Sequence, residues 1–192
     1  MDEPEASWTA FEGTRRIASG ALADVVTAAK ATIDGGSAEP VMVLDDLDAQ
    51  RVEIDFRNGI DFILARLPRP APKIDPEAPR GRGRPRMGVV AREITLLPRH
   101  WDWLNRQPGG ASVALRKLVE QARRSHDADD RRRRAHERAY HFMSALAGDL
   151  PGYEEATRAL FADDPARLRA LIAYWPEDVR EHALMLAAHE EA

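Results

Sequence analysis

The sequence predicts an α+β chain built in three folded parts. These are a small N-terminal ββαββα module (residues 1–67), a central strand–helix–helix unit (87–124) and a C-terminal helical bundle (125–192), with a basic Pro/Gly-rich linker at 68–86. Three observations carry this. Hydrophobic spacing alternates like strands near the N-terminus and takes a helical period from about Pro98 onward. Gly and Pro clusters cut the chain at Gly35-Gly36, across 68–86, at Pro108-Gly109-Gly110 and at Pro151-Gly152. The charge also divides: residues 1–67 hold 6 Lys/Arg against 13 Asp/Glu, residues 68–124 hold 13 against 5, and residues 125–192 hold 9 against 14.

In the first module, Trp8–Phe11 and Arg15–Ser19 are β-like runs joined at Gly13-Thr14, the pattern of a hairpin. Leu22, Val25, Val26, Ala29 and Ile33 then recur at helical period until Asp34-Gly35-Gly36 stops them. Two further strands are expected at Val41–Leu44 and Arg51–Phe56, with a short helix at Ile60–Leu67. Between those strands, Asp45, Asp46 and Asp48 crowd one loop, but no Gly at the sixth position or Glu at the twelfth makes it a calcium loop, so a polar hairpin turn is expected.

The linker holds six prolines and six basic residues between Pro68 and Arg86, too little apolar surface to offset its ordering entropy. It ends in Arg80-Gly81-Arg82-Gly83-Arg84-Pro85-Arg86. Within it, Arg82-Gly83-Arg84-Pro85 resembles the core of an AT-hook, which implies minor-groove insertion of Arg82, Arg84 and Arg86 where A·T tracts narrow the groove.

The central unit begins with a β run from Val89 to Leu97. Pro98 is placed to open a helix whose end is set by Pro108-Gly109-Gly110. Ser112 is expected to cap a second helix, with Leu115, Leu118, Val119 and Ala122 on one face. One strand and two short helices cannot bury their apolar faces alone, so the unit needs a partner. Trp101 and Trp103 diverge on the first helix, one toward a core and one outward, and both are assigned to packing.

The stretch from Leu97-Pro98-Arg99-His100-Trp101 through the glycine turn to Ser112-Val113-Ala114-Leu115-Arg116-Lys117-Leu118-Val119-Glu120-Gln121-Ala122 resembles the ribbon-helix-helix DNA-binding superfamily over about residues 89–124. The resemblance implies a homodimer formed through the 89–97 strand and both helices. It also implies a two-stranded ribbon in the major groove and phosphate held at the second helix's N-terminus by Ser112, with Arg116 and Lys117 beside it. Two strand registers remain open. One presents Arg92, Ile94 and Leu96 to the groove, where the aliphatics meet thymine methyl groups; the other presents Glu93 and Thr95. Neither is a row of Arg, Asn or Gln, so retention of the fold for dimerisation without base readout stays open as well.

In the C-terminal part, acidic residues at 127–130 precede Arg131-Arg132-Arg133-Arg134, as in a solvated helix start, with phosphate contact as the alternative use of the arginines. Helical stretches follow through Ala147 to the stop at Gly148, over Tyr153–Phe161, over Ala166–Tyr174 and over Glu177–Ala188. His136 and His141 are five apart and His182 and His189 seven apart, so no metal-binding pair is read from spacing. No phosphate loop, glycine fingerprint or nucleophile elbow occurs. The expectation is therefore no catalytic residue, no metal and no cofactor.

Without cysteine there is no disulfide framework, thiolate metal site or thiol nucleophile, and no apolar run approaches the roughly 20 residues that span a bilayer. A cytoplasmic protein is expected, nucleoid-associated if it binds DNA. The order of the parts, especially Gly83–Glu93 running into Leu97–Leu104, is similar over nearly the full length to a bacterial family catalogued only as a domain of unknown function. These readings converge on a sequence-preferring DNA-binding homodimer acting as a bacterial transcriptional regulator on A·T-rich DNA. The alternative is an antitoxin-type interaction module that uses the same dimer to engage a protein partner.

Overall fold

The computed structural model describes residues 7–68 and 92–189. It is a mixed α/β structure, mostly helical, with a three-stranded antiparallel sheet and, among the described residues, seven helices. The chain forms two compact units: one joins the residues up to Leu67 with those from Ala128 onward, and the other lies between Pro68 and Asp127.

In the first unit, β1 (Trp8–Glu12) turns at Gly13, whose φ of +56° favours glycine, and returns as β2 (Arg15–Gly20). After α1 (Leu22–Asp34), β3 (Val41–Asp45) pairs antiparallel with the free edge of β1, giving the order β2-β1-β3. The central strand is covered on both faces: Thr9, Ala10 and Phe11 are all at most 1% exposed. Alternation sends Ala10 and Val43 toward Leu22, Val25, Val26 and Ala29 of α1, while Phe11, Met42 and Leu44 turn to the opposite side.

That opposite side is the main core. It is filled by α4 (Gly110–Leu146), α5 (Tyr153–Phe161), α6 (Pro165–Leu171) and α7 (Glu177–Ala187). From α4 come Ala139, Phe142 and Met143, and from the later helices Leu160, Leu168, Val179, Ala183 and Leu186. The Phe11 and Phe142 rings meet at 5.4 Å. Trp175 joins them, its indole N–H donating to the Pro151 carbonyl at 2.9 Å. The N-terminal strands and C-terminal helices therefore share one core, although the sequence reads them as successive modules.

The expected fourth strand does not form. Residues 51–56 make a single bridge, Arg51 to Leu44, with Val52 N–H donating to the Val43 carbonyl. The Arg57 guanidinium and backbone N–H both donate to Asp55, closing a local turn and holding the Asp55 carboxyl at about 2. Burial still alternates along this run, with Val52, Ile54 and Phe56 half-buried against the α1 side. The alternation thus reports which side faces the core and not a ladder partner. α2 (Ile60–Arg66) follows and buries Ile63.

In the second unit, α3 (Pro98–Asn105) opens on Pro98 as expected, and the polypeptide re-enters helix at Gly110. Two expectations change here. Residues 92–97, the described part of the 89–97 run, belong to no strand: apolar alternation alone does not supply a ladder, and among the described residues no segment pairs with them. The second helix does not end near residue 124 but continues as the 37-residue α4, because Arg123 to Ala128 contains neither Gly nor Pro to break it.

Candidate nucleic-acid interface

The turn between α3 and α4 is built by glycine. Gly109 and Gly110 have φ of +86° and +74°, and Gly110 N–H donates to the Gln107 carbonyl at 2.9 Å. A Cβ on Gly109 would lie 3.1 Å from the Val113 side chain, so the backbone passes this helix start closer than other residues permit. α4 starts at Gly110, ahead of Ser112, which places Ser112 in the first turn and not at the cap. Its hydroxyl remains exposed, and its carbonyl accepts from Arg116 Nε at 3.1 Å. Positive φ at two successive positions is a conformation that glycine adopts at little cost, and it is what turns the chain into α4 here.

Arg116 and Lys117 stand exposed on α4 and, among the described residues, neither lies within ion-pair distance of a carboxylate. They line an open groove of about 660 Å³ with Val113, Glu120, Gln121, Arg124 and Ser125, residues that recur at helical spacing along one face. Glu120 is held by Arg123 at 3.0 Å and by Arg124 at 3.1 Å, which pull its carboxyl below the usual carboxylate range. The groove's carboxylate is therefore already neutralised, and its net character is cationic.

Of the other expected site residues, Arg92 is exposed, Ile94 is 49% exposed and Leu96 is half-buried. Arg82, Arg84 and Arg86 lie outside the described residues. Trp101 is half-buried and Trp103 is 50% exposed, so the two diverge as their spacing requires. A smaller hollow of about 190 Å³ separates Trp103 and Pro108 from Ala114 and Leu118.

The apolar accounting of this unit is lopsided. Among its described residues only Leu104 and Ala114 are buried, while Ile94, Leu97, Trp103, Leu118 and Val119 are between 43% and 64% exposed. Among the described residues these five large apolar side chains therefore stand open on the unit's surface.

Two groupings in the first unit escaped sequence reasoning. The acidic turn is polar as expected, with Asp45 and Asp48 accepting from the N–H groups of Leu47 and Gln50, but Asp46 turns inward to Thr9 and to the buried His182. Separately, His136 and His189 converge on one oxygen of Asp163, with Nε2 to Oδ1 distances of 3.2 and 3.7 Å. No local spacing signals either grouping, because each joins segments far apart in the chain.

The chain is thus an α+β protein with a cationic, apolar-faced α3–α4 unit and a separate helical core wrapped on a three-stranded sheet. It belongs to the bacterial family described as "Uncharacterized protein conserved in bacteria (DUF2239)", whose model matches residues 7–187. No curated protein and no solved structure matches it. Among the described residues no helix is long and apolar enough to cross a membrane.

Proposed function

We propose that the chain is a homodimeric DNA-binding protein, a bacterial transcriptional regulator. In this reading two copies pair their 89–97 segments into a ribbon and close their α3–α4 faces over one another. The observation that carries it is the apolar set Ile94, Leu97, Trp103, Leu118 and Val119, left open beside Arg116 and Lys117, cations with no carboxylate partner among the described residues. A second copy would bury the first group, and a polyanion would neutralise the second. The charge of residues 68–124, 13 basic against 5 acidic, supports the same partner. Arg82, Arg84 and Arg86 would follow an adjacent minor groove, and the α4 N-terminus would take a phosphate.

Phosphate contacts would supply most of the affinity, so binding should fall steeply with salt. A mobility shift on A·T-rich duplex at two salt concentrations, with wild type and Arg84→Ala, tests the proposal. Retardation at low salt that weakens in the variant supports it. Failure to bind any duplex at low salt removes it, and co-purification of a polypeptide in place of nucleic acid would favour the antitoxin-type module.

A further inference from the structure

We propose that His136, Asp163 and His189 form a binding site for a divalent transition-metal ion, with zinc as the reference ion. The three come from separate places in the fold: α4, the turn between α5 and α6, and the segment after α7. Their ligand atoms lie within 4.8 Å of one another. Zinc bonds to nitrogen and oxygen near 2.1 Å put neighbouring tetrahedral ligand atoms about 3.4 Å apart. The carboxylate already meets that spacing toward both rings, at 3.2 and 3.7 Å, and with all ligand atoms within 4.8 Å of one another, closing the remaining gap between the imidazoles needs a movement of at most about 1.4 Å.

Each ligand is held from behind. The His136 side chain is only 10% exposed, and its ring meets Phe161 edge-on. His189 stands on a segment fixed by Arg138, which donates to the Leu186 carbonyl at 2.7 Å and the Ala188 carbonyl at 2.9 Å. Its Nδ1 faces the Ala187 carbonyl at 3.4 Å, the arrangement that leaves Nε2 as the lone-pair nitrogen. Asp163 occupies a left-handed position, φ +56°, at the end of α5, where glycine would be less strained. Its second oxygen lies 3.8 Å from Arg132, which orients the carboxylate and leaves Oδ1 to the two rings.

Two imidazoles and one carboxylate select a borderline ion such as zinc over calcium or magnesium, which prefer all-oxygen sets. Three protein ligands leave a fourth position for water or an exchangeable ligand. Binding requires the His136 Nε2 lone pair, so a proton held at that nitrogen moves to Nδ1 or to solvent. The ion would tie the end of α7 to α4.

The test uses the full chain, untagged and stripped with a chelator. Calorimetric titration with zinc chloride should show one ion bound per chain, cobalt(II) should give visible ligand-field bands, and the melting temperature should rise with zinc. His189→Ala and Asp163→Asn should each weaken zinc binding by more than about 100-fold, whereas Arg132→Ala should cost about 10-fold. The exposed His126→Ala should change nothing. Should Asp163→Asn fail to fold, His189→Ala, which lies beyond the last helix, decides alone. Absence of saturable binding, or affinity unchanged in folded His189→Ala, overturns the proposal.

Discussion

His182 Nε2 lies 3.4 Å from Asp46 Oδ1, with its side chain 1% exposed and its ring packed against Phe11 and Phe142. Burial by itself would raise the Asp46 carboxyl, but His182, Ser7 and Thr9 together hold it below its ordinary value. The Asp46–His182 contact is electrostatic, since its geometry does not make a hydrogen bond, and among the described residues neither ring nitrogen of His182 has a hydrogen-bond partner. Asp46 is consequently the main polar counterpart of a histidine that the core encloses.

This pair sets a pH dependence. The Asp46 carboxyl is lower in the folded chain than in the unfolded one, so its contribution to stability is fully present above the unfolded value, near 4, and is lost as pH falls through the folded value. Asp46→Ala should destabilise the protein by about 1–3 kcal/mol at neutral pH and flatten the acid limb of the stability curve. The double substitution Asp46→Ala with His182→Leu should recover part of that loss, because no uncompensated imidazole remains in the core. Urea unfolding between pH 3 and 7 reads both effects, and an acid limb identical in wild type and Asp46→Ala would refute the assignment.

Gly109→Ala should be costly although the residue sits in a surface turn. The φ of +86° and the 3.1 Å approach to Val113 both penalise a methyl group, for a loss of more than about 1 kcal/mol. Gly59→Ala, at the start of α2 where a Cβ meets nothing within 4 Å, is the control and should cost less. Thermal unfolding of the two variants makes the comparison.

Val119 is 64% exposed and Leu118 is 43% exposed, so in a monomer Val119→Glu should change stability by no more than about 0.5 kcal/mol. In the proposed dimer it would bury a charge. Sedimentation velocity should therefore find the wild type at dimer mass and a folded Val119→Glu variant at monomer mass. A wild type that sediments as a monomer at micromolar concentration would refute the dimer.

Arg116→Ala and Lys117→Ala probe the groove on α4. If each cation meets one phosphate, each substitution should lower the slope of log affinity against log salt by about 1 and weaken binding evenly across sequences. Affinity and slope that match wild type in both variants would assign the groove another role.

Much of the architecture was legible because it rests on local physics. The hairpin at Gly13, the stop at Gly35-Gly36, the opening of α3 at Pro98 and the breaks around Pro165 and Pro176 are written in residue types that restrict their own backbone. Glu154-Glu155 and Glu177-Asp178 sit in the first turns of α5 and α7, as the helix dipole favours. Less legible was the run Arg51–Phe56, whose alternation is real in its burial yet makes one bridge only. A period of two records sidedness, whereas a ladder needs a neighbour that the sequence does not name.

By itself, then, the sequence determined where the chain turns, which segments are helical, where positive charge collects and that the α3–α4 unit has more apolar surface than it can bury. Only the tertiary structure decided that Phe11 meets Phe142, that Asp46 turns inward to His182, and that His136 and His189 converge on Asp163. The physical reason is range. Backbone propensity and periodicity act over a few residues, whereas these contacts join segments brought together only by burying a shared core, and chain separation leaves no periodic trace of them.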